Sequence, residues 1–267
     1  MFRPLPLPAL SALFALLALP ALFASPASAV QQYSYKVLEQ KPQARNTFVQ
    51  GLEIVDGQLY VSSGLYGKSR LERRNFASGE LDTARSLDPR LFGEGLTVMG
   101  DRLYQLTWRD RLLLVYNKQD LAGIERMQIP GEGWGMTNDG EQLIYSDGSD
   151  RLYFLNPTQH RITRALHVTE DGKPVNRLNE LEWVDGRIWA NIWQSERIVI
   201  IDPTDGKVEG SINLQGLLPA TERRPGTDVL NGIARDPADG GLWVTGKNWP
   251  WLYRIELQPT NATDDFH

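Results

Sequence analysis

The chain has 267 residues, no Cys and three His. Without Cys it can form neither a disulfide nor a thiolate metal site. Its formal net charge of −5 at pH 7 argues against nucleic acid or an anionic membrane surface as a partner.

The first 29 residues have the pattern of an export signal. Arg3 is their only charged residue, an apolar run extends from Ala9 to Ala24, and the Ala-Ser-Ala at 27–29 fits a signal-peptidase site. A membrane anchor is the alternative, but the apolar run is shorter than the roughly 20 residues that a span needs. We therefore predict a signal peptide at 1–29, export to the periplasm or the medium, and no membrane contact for the mature protein.

One short motif recurs along the rest of the sequence at intervals of 40 to 52 residues. Its five copies are centred on Gly51, Gly95, Gly135, Glu180 and Gly232. Each copy is followed by a tight turn rich in Asp-Gly or Gly-Asp and by further strand-length runs. Repeats of this length are typical of propeller blades or helical arrays, and no helical period is sustained in the sequence.

This pattern predicts an all-β fold over residues 30–258, a five-bladed β-propeller with four antiparallel strands per blade. The last unit has no fourth run of its own, and the strand-like segment Tyr33–Leu38 is expected to supply it and so to close the ring. Residues 259–267 are expected to form a mobile tail. We also expect a monomer.

Mostly polar residues occupy one position of the repeat, beside the central glycine. This position holds Gln50, Glu94, Trp134, Asn179 and Asn231. The first strand of each propeller blade lies nearest the axis, so these side chains would converge around an axial pocket or along a hydrated channel. The repeat alone leaves both interpretations open.

Glu94 departs most from the repeat, since no other copy has an acid at this position. A carboxyl that is partly desolvated near the axis would have a raised pKa and could carry protons near neutral pH. It could equally be a structural carboxylate. Together with Glu53, Glu180 and Glu182 it could also contribute to a site for a structural cation such as Ca²⁺ in the central channel.

The eight Trp residues fall into two groups. The first group lies in or just after the first-strand regions and comprises Trp108, Trp134, Trp193 and Trp249. These residues are predicted to form the walls of a site for a small organic ligand. Packing between blades is the alternative for any single one of them. The other group lies in alternating runs typical of blade core: Trp183, Trp189, Trp243 and Trp251.

Lys247 follows a predicted strand and could stabilise a developing oxyanion, or be a solvated turn residue. Two of the His residues, His160 and His167, lie in an outer run, and His267 is the last residue. The sequence therefore predicts neither a His metal triad nor a Ser-His-Asp set.

Ten ordered motifs between Tyr33 and Leu257 resemble the plant and bacterial type of glutaminyl cyclase, also called glutamine cyclotransferase. They are FVQGLE (48–53), GLYG (64–67), FGEGLT (92–97), QLTW (105–108), EGWG (132–135), SDG (146–148), LNELE (178–182), ANIWQ (190–194), VLNGIA (229–234) and TGK (245–247). The resemblance implies a five-bladed propeller that converts the N-terminal glutamine of peptides or proteins to pyroglutamate with release of ammonia. No metal or other cofactor is then expected to be required for catalysis.

The pocket positions that the resemblance implies are Gln50, Glu94, Trp108, Trp134, Asn179, Trp193 and Lys247. We hypothesise that Glu94 performs both proton transfers of the reaction. The three Trp would hold the glutamine of the substrate in a curled conformation, and Gln50 and Asn179 would orient its amide and amine. Lys247 is the candidate for stabilising the oxyanion, with a backbone N–H as the alternative. A rival of another class is a non-catalytic exported propeller that binds peptides or glycans.

Overall fold

A computed structural model describes residues 29–260. The predicted signal peptide, apart from Ala29, and residues 261–267 of the predicted tail lie outside the described residues. The described part consists of strands joined by turns, with one 3-10 helix at Ala220–Glu222. No helix within 29–260 is long and apolar enough to cross a membrane. The all-β prediction is confirmed.

Within these residues 22 strands follow one another in sequence. They are β1 (Gln31–Pro42), β2 (Val49–Val55), β3 (Gln58–Ser63), β4 (Arg70–Asn75), β5 (Leu81–Ser86), β6 (Gly93–Met99), β7 (Arg102–Thr107), β8 (Leu112–Asn117), β9 (Gly123–Gln128), β10 (Met136–Asn138), β11 (Leu143–Ser146), β12 (Arg151–Asn156), β13 (Arg161–His167), β14 (Thr169–Glu170), β15 (Lys173–Pro174), β16 (Leu178–Val184), β17 (Arg187–Ile192), β18 (Arg197–Ile201), β19 (Val208–Asn213), β20 (Leu230–Arg235), β21 (Leu242–Gly246) and β22 (Trp251–Thr260).

Strands β2–β5, β6–β9 and β10–β13 form three antiparallel sheets of four strands, each in sequence order. A fourth sheet has eight strands in the order β16-β17-β18-β19-β1-β22-β21-β20. Its centre is β1, which pairs antiparallel with β22 and parallel with β19, so that the sheet consists of two groups of four strands. The short strands β14 and β15 form a separate hairpin that the repeat pattern did not predict.

The N-terminal strand pairs with the last strand, as expected for the segment Tyr33–Leu38. Strand β22 continues through Pro259 and Thr260, which pair with Tyr33 and Gln32. The predicted tail therefore begins two residues too early, because backbone hydrogen bonding to β1 extends the strand.

The first strands of the five four-stranded groups are β2, β6, β10, β16 and β20. They pack against one another in that order, and β20 also contacts β2. A Cβ atom on Gly95 would lie 2.5 Å from the backbone N of Met136, so the close approach of two backbones excludes a larger residue there. Glu180 has the matching position in β16, and its carboxylate accepts hydrogen bonds from the backbone N–H groups of Leu52 (3.3 Å) and Ile233 (2.8 Å). Glu180 thereby ties β16 to β2 and β20.

Five buried apolar clusters lie between consecutive groups of strands, and one of them lies between the last group and the first. In that cluster Trp243 packs edge to face on Phe76, with ring centroids 5.2 Å apart. Trp189 is also buried, and Trp183 and Trp251 pack against the clusters, as predicted for blade-core residues. The sheets therefore have a propeller-like arrangement, with the starts of all first strands at one end.

Candidate active site

A cavity of about 660 Å³ opens at the end of the molecule where the first strand of each group begins and the second strand ends. All seven predicted site residues line it: Gln50, Glu94, Trp108, Trp134, Asn179, Trp193 and Lys247. Three of them are the second residues of β2, β6 and β16, and three others directly follow β7, β17 and β21. Antiparallel pairing brings these strand starts and strand ends to the same edge.

Glu94 lies at the floor of this cavity, with 5% of its surface exposed. The side-chain amide of Gln50 donates a hydrogen bond to Glu94 Oε1 at 3.0 Å. Burial raises the pKa of Glu94 well above its usual value, the charge of Lys247 lowers it, and the charge of Glu132 raises it further. The carboxyl therefore binds a proton more tightly than an exposed glutamate does.

Lys247 is the second buried ionisable group of the cavity. Burial lowers its pKa, while the negative charges of Glu94 and Asp228 act in the opposite direction. Its ammonium lies 4.9 Å from the ring centre of Phe48, a cation–π contact. A buried acid of raised pKa beside a buried amine of lowered pKa is typical of functional sites.

One carboxylate oxygen holds two of the aromatic walls. Glu132 Oε2 accepts hydrogen bonds from the indole N–H groups of Trp108 (2.7 Å) and Trp134 (3.1 Å). The other oxygen lies 3.5 Å from Nε of Arg109, whose guanidinium stacks on the Trp108 ring at 3.9 Å. Trp193 meets Trp134 edge to face, with centroids 5.5 Å apart. Glu132 thus fixes the orientation of both rings relative to the floor.

Asn231 has the same repeat position as Gln50 and Glu94 but does not line the cavity. It is buried, and its side-chain amide donates to the backbone carbonyl of Val49 at 2.9 Å and to Gln50 Oε1 at 3.4 Å. Because Gln50 accepts from Asn231 and donates to Glu94, Asn231 orients the Gln50 amide.

Comparisons with known proteins identify the relatives of this protein. The model of a family described as glutamine cyclotransferase matches residues 10–257. The chain belongs to this family. A glutaminyl-peptide cyclotransferase of Arabidopsis thaliana is 38% identical over 233 residues, which cover 85% of this chain and 72% of the relative.

Solved structures agree with this assignment. The glutaminyl cyclase of Myxococcus xanthus superposes with a TM-score of 0.80 at 33% identity, over 87% of this chain and 100% of that one. The WD40 β-propeller domain of Doa1 superposes with a TM-score of 0.50 at 11% identity, over 78% of this chain and 63% of that one. At that identity the likeness concerns the fold alone.

In this member of the glutamine cyclotransferase family, further residues complete the cavity. They are Phe48, Leu65, Phe92, Arg109, Glu132, Gln194, Asp228 and Val229. Phe48 and Phe92 directly precede β2 and β6, and each lies two residues before Gln50 or Glu94, a spacing that places side chains on one face of an extended chain. That spacing could have identified them. The others lie on loops, where the repeat carries no such information.

Trp249 was predicted with the ligand-site aromatics, and this prediction is wrong. It is 1% exposed, packs edge to face with Tyr253, and donates its indole N–H to the backbone carbonyl of Asp228 at 2.9 Å. The backbone turns back after Lys247, and the Trp249 ring lies over Gly246, where any Cβ would overlap it. The ring therefore belongs to the core.

The remaining axial carboxylates are bound by backbone groups. Glu182 Oε1 accepts from the N–H of Arg235 at 2.8 Å, and Glu53 Oε2 accepts from the N–H of Val98 at 2.7 Å. Burial raises the pKa of Glu180 and Glu182 well above the usual value. Among residues 29–260 no three His, Asp or Glu side chains are arranged to hold a metal ion.

Proposed function

We propose that this protein is a glutaminyl-peptide cyclotransferase, which converts the N-terminal glutamine of peptides and proteins to pyroglutamate with release of ammonia. The observation that carries the proposal is the buried carboxyl of Glu94, with its raised pKa, at the floor of a cavity walled by three Trp. Membership of the family and the names of the Arabidopsis and Myxococcus relatives support the same activity.

The reaction needs one group that first accepts a proton and then returns it. The neutral α-amine of the substrate attacks its own γ-carbonyl carbon, which forms the ring C–N bond, and one amine proton passes to the Glu94 carboxylate. Protonated Glu94 then donates this proton to the amide nitrogen, the bond between that nitrogen and the carbonyl carbon breaks as the tetrahedral intermediate collapses, and ammonia leaves. One carboxyl that lies between the attacking amine and the leaving nitrogen serves both steps.

The other cavity residues bind and orient the substrate. The Trp walls restrict the flexible glutamine to a curled conformation in which amine and carbonyl carbon are close. Gln50 and Asn179 orient the amide and amine by hydrogen bonds. The buried ammonium of Lys247 stabilises the oxyanion of the tetrahedral intermediate, because it is already fixed in place and needs little reorganisation.

The same proposal extends to the architecture and location of the protein. The five groups of four strands are the blades of a five-bladed propeller, and β1 closes the ring; the apolar cluster between the last group and the first supports this arrangement. Residues 1–29 direct export to the periplasm or the medium. The mature protein acts as a monomer without a catalytic cofactor.

The experiment is ammonia release from a Gln-Ala-type peptide, followed together with the mass of the peptide, with and without EDTA. We expect one ammonia per peptide and equal rates in both conditions. The same peptide with an acetylated N-terminus is the control, since its blocked amine cannot attack. Peptide binding without ammonia release would refute the proposal and indicate a non-catalytic binding propeller. Loss of activity in EDTA that added metal restores would refute metal independence.

A further inference from the structure

Leu65 has the largest positive φ angle of any non-glycine residue in the described part of the protein. Its φ angle is +93°, whereas the other nine non-glycine residues with positive φ there lie between +49° and +65°. Those values fall in the left-handed region that side chains can enter, but +93° is outside it. For a bulky side chain such as that of leucine, this conformation is strained.

The surrounding loop enforces this conformation. The Leu65 carbonyl accepts hydrogen bonds from the N–H of Lys68 (2.9 Å) and from Ser69 Oγ (2.8 Å). Ser69 Oγ in turn accepts from the N–H of Gly93 at 3.0 Å, and Gly93 immediately precedes Glu94. The strained loop is therefore attached to the start of the strand that carries the proposed proton carrier.

A glycine would relieve the strain without disturbing this network, because the network uses only the Leu65 backbone. The leucine side chain must therefore have a use that offsets the strain. It lines the cavity beside Phe92 and is half-buried. The next residue, Tyr66, is 49% exposed and packs edge to face on Phe92 at 5.3 Å.

Leu65 forms part of the mouth of the cavity, as its exposure indicates, and the exposed Tyr66 follows it outside the cavity lining. Glu94 and Asn179 on the floor are 5% and 2% exposed, whereas Leu65 is half-buried and Tyr66 is half exposed. A glutamine whose amine and amide meet Glu94 on the floor must direct its own carbonyl, and the residue joined to it, out through the mouth. Leu65 is one of the more exposed lining residues and has an apolar side chain, so the second residue can contact it there.

We propose that Leu65 is a specificity-determining residue that contacts the side chain following the N-terminal glutamine and selects substrates with an apolar residue there. This inference rests on the proposed cyclisation. An apolar contact at a partly open position favours an apolar second residue over glycine by about tenfold in kcat/KM, the lower end of what a hydrophobic subsite provides.

The test compares Leu65→Ala and Leu65→Gly with the wild type on two peptides, Gln-Leu-Ala and Gln-Gly-Ala. In both variants kcat/KM for Gln-Leu-Ala should fall about tenfold more than kcat/KM for Gln-Gly-Ala, mainly through KM, so that the preference for the first peptide is lost. Leu65→Gly should also melt at a higher temperature than Leu65→Ala, because it alone releases the strain. Asp171→Gly is the matched control: Asp171 has φ +50° on the exposed β14–β15 turn, and its replacement should leave the preference unchanged.

The outcomes separate the two proposals. If the wild type releases no ammonia from either peptide, the proposed function fails and this inference fails with it. If the wild type is active and Leu65→Ala keeps the full preference for Gln-Leu-Ala, the inference alone is overturned. An equal loss of rate on both peptides would also overturn it, since that result would make Leu65 a support of the Glu94 strand and not a selector.

Discussion

Replacing Glu53 by Gln should stabilise the protein in alkaline solution and leave its stability in acid unchanged. Glu53 lies three residues after Gln50 in β2. Burial raises its pKa from 4.5 to about 7, although hydrogen bonds from Val98 and Thr97 lower it. Its charge also raises the pKa values of Glu180 and Glu182. Gln keeps an oxygen that can accept the Val98 N–H, so the substitution removes charge and little else.

The sign of the effect follows from the raised pKa. Below about pH 4.5 the Glu53 carboxyl is protonated in both the folded and the unfolded state, so its ionisation does not lower the free energy of unfolding. As the pH rises through about 7 the folded protein must ionise a buried group, and stability is lost. The difference between the pKa of Glu53 in the folded protein and in the unfolded chain corresponds to a loss of at most about 3 kcal/mol in the free energy of unfolding. This is an upper limit because the side chain retains some contact with solvent. In a domain of this size that is a shift in Tm of about 5–10 °C.

The assay is thermal unfolding of wild type and Glu53→Gln, followed by tryptophan fluorescence above and below this pH window. Glu72→Gln is the matched control of opposite sign. Burial raises the pKa of Glu72, but hydrogen bonds from Arg70 (2.5 Å) and Arg74 (2.9 Å) outweigh it and the net effect is a lowered pKa. Its replacement should lower Tm in alkaline solution. A Glu53→Gln variant that melts at or below the wild-type temperature at high pH would refute the reasoning.

Glu132→Gln removes the charge that raises the pKa of Glu94, so the acid limb of the pH profile of kcat/KM should move to lower pH. Lys247→Met removes the charge that lowers this pKa, so the same limb should move to higher pH, and kcat should fall about 100-fold through loss of the oxyanion contact. Shifts of both profiles in one direction would contradict this electrostatic account. Glu132→Ala leaves the indole N–H groups of Trp108 and Trp134 without their acceptor, and kcat/KM should fall about tenfold. Wild-type kinetics for Glu132→Ala would show that the aromatic walls hold their orientation unaided.

The strand starts were predictable because the repeat marks them. Gln50, Glu94 and Asn179 share a position in their copies of the motif, and equal positions in equal units meet at one end of the fold. The residues after the second strands were assigned through the family resemblance, since a Trp or Lys at a strand end has several possible roles. The structure brings both sets to one cavity.

Contacts made by loops could not be predicted from the sequence. Glu132 reaches two Trp because the segment between β9 and β10 brings it to the cavity wall, and no sequence spacing records that path. The strain at Leu65 is likewise invisible in a Gly-Leu-Tyr-Gly motif, in which either glycine is the more expected site of positive φ. Trp249 was misassigned for the same reason, because the turn after Lys247 directs it into the core.

The most direct test of the central claim is the rate of cyclisation by Glu94→Gln, measured as ammonia release at saturating Gln-Ala-type peptide. Gln has the shape of Glu and cannot shuttle the proton, so kcat should fall at least about 100-fold while the peptide still binds. A kcat within about tenfold of wild type would contradict the assignment of Glu94 as the group that moves the proton.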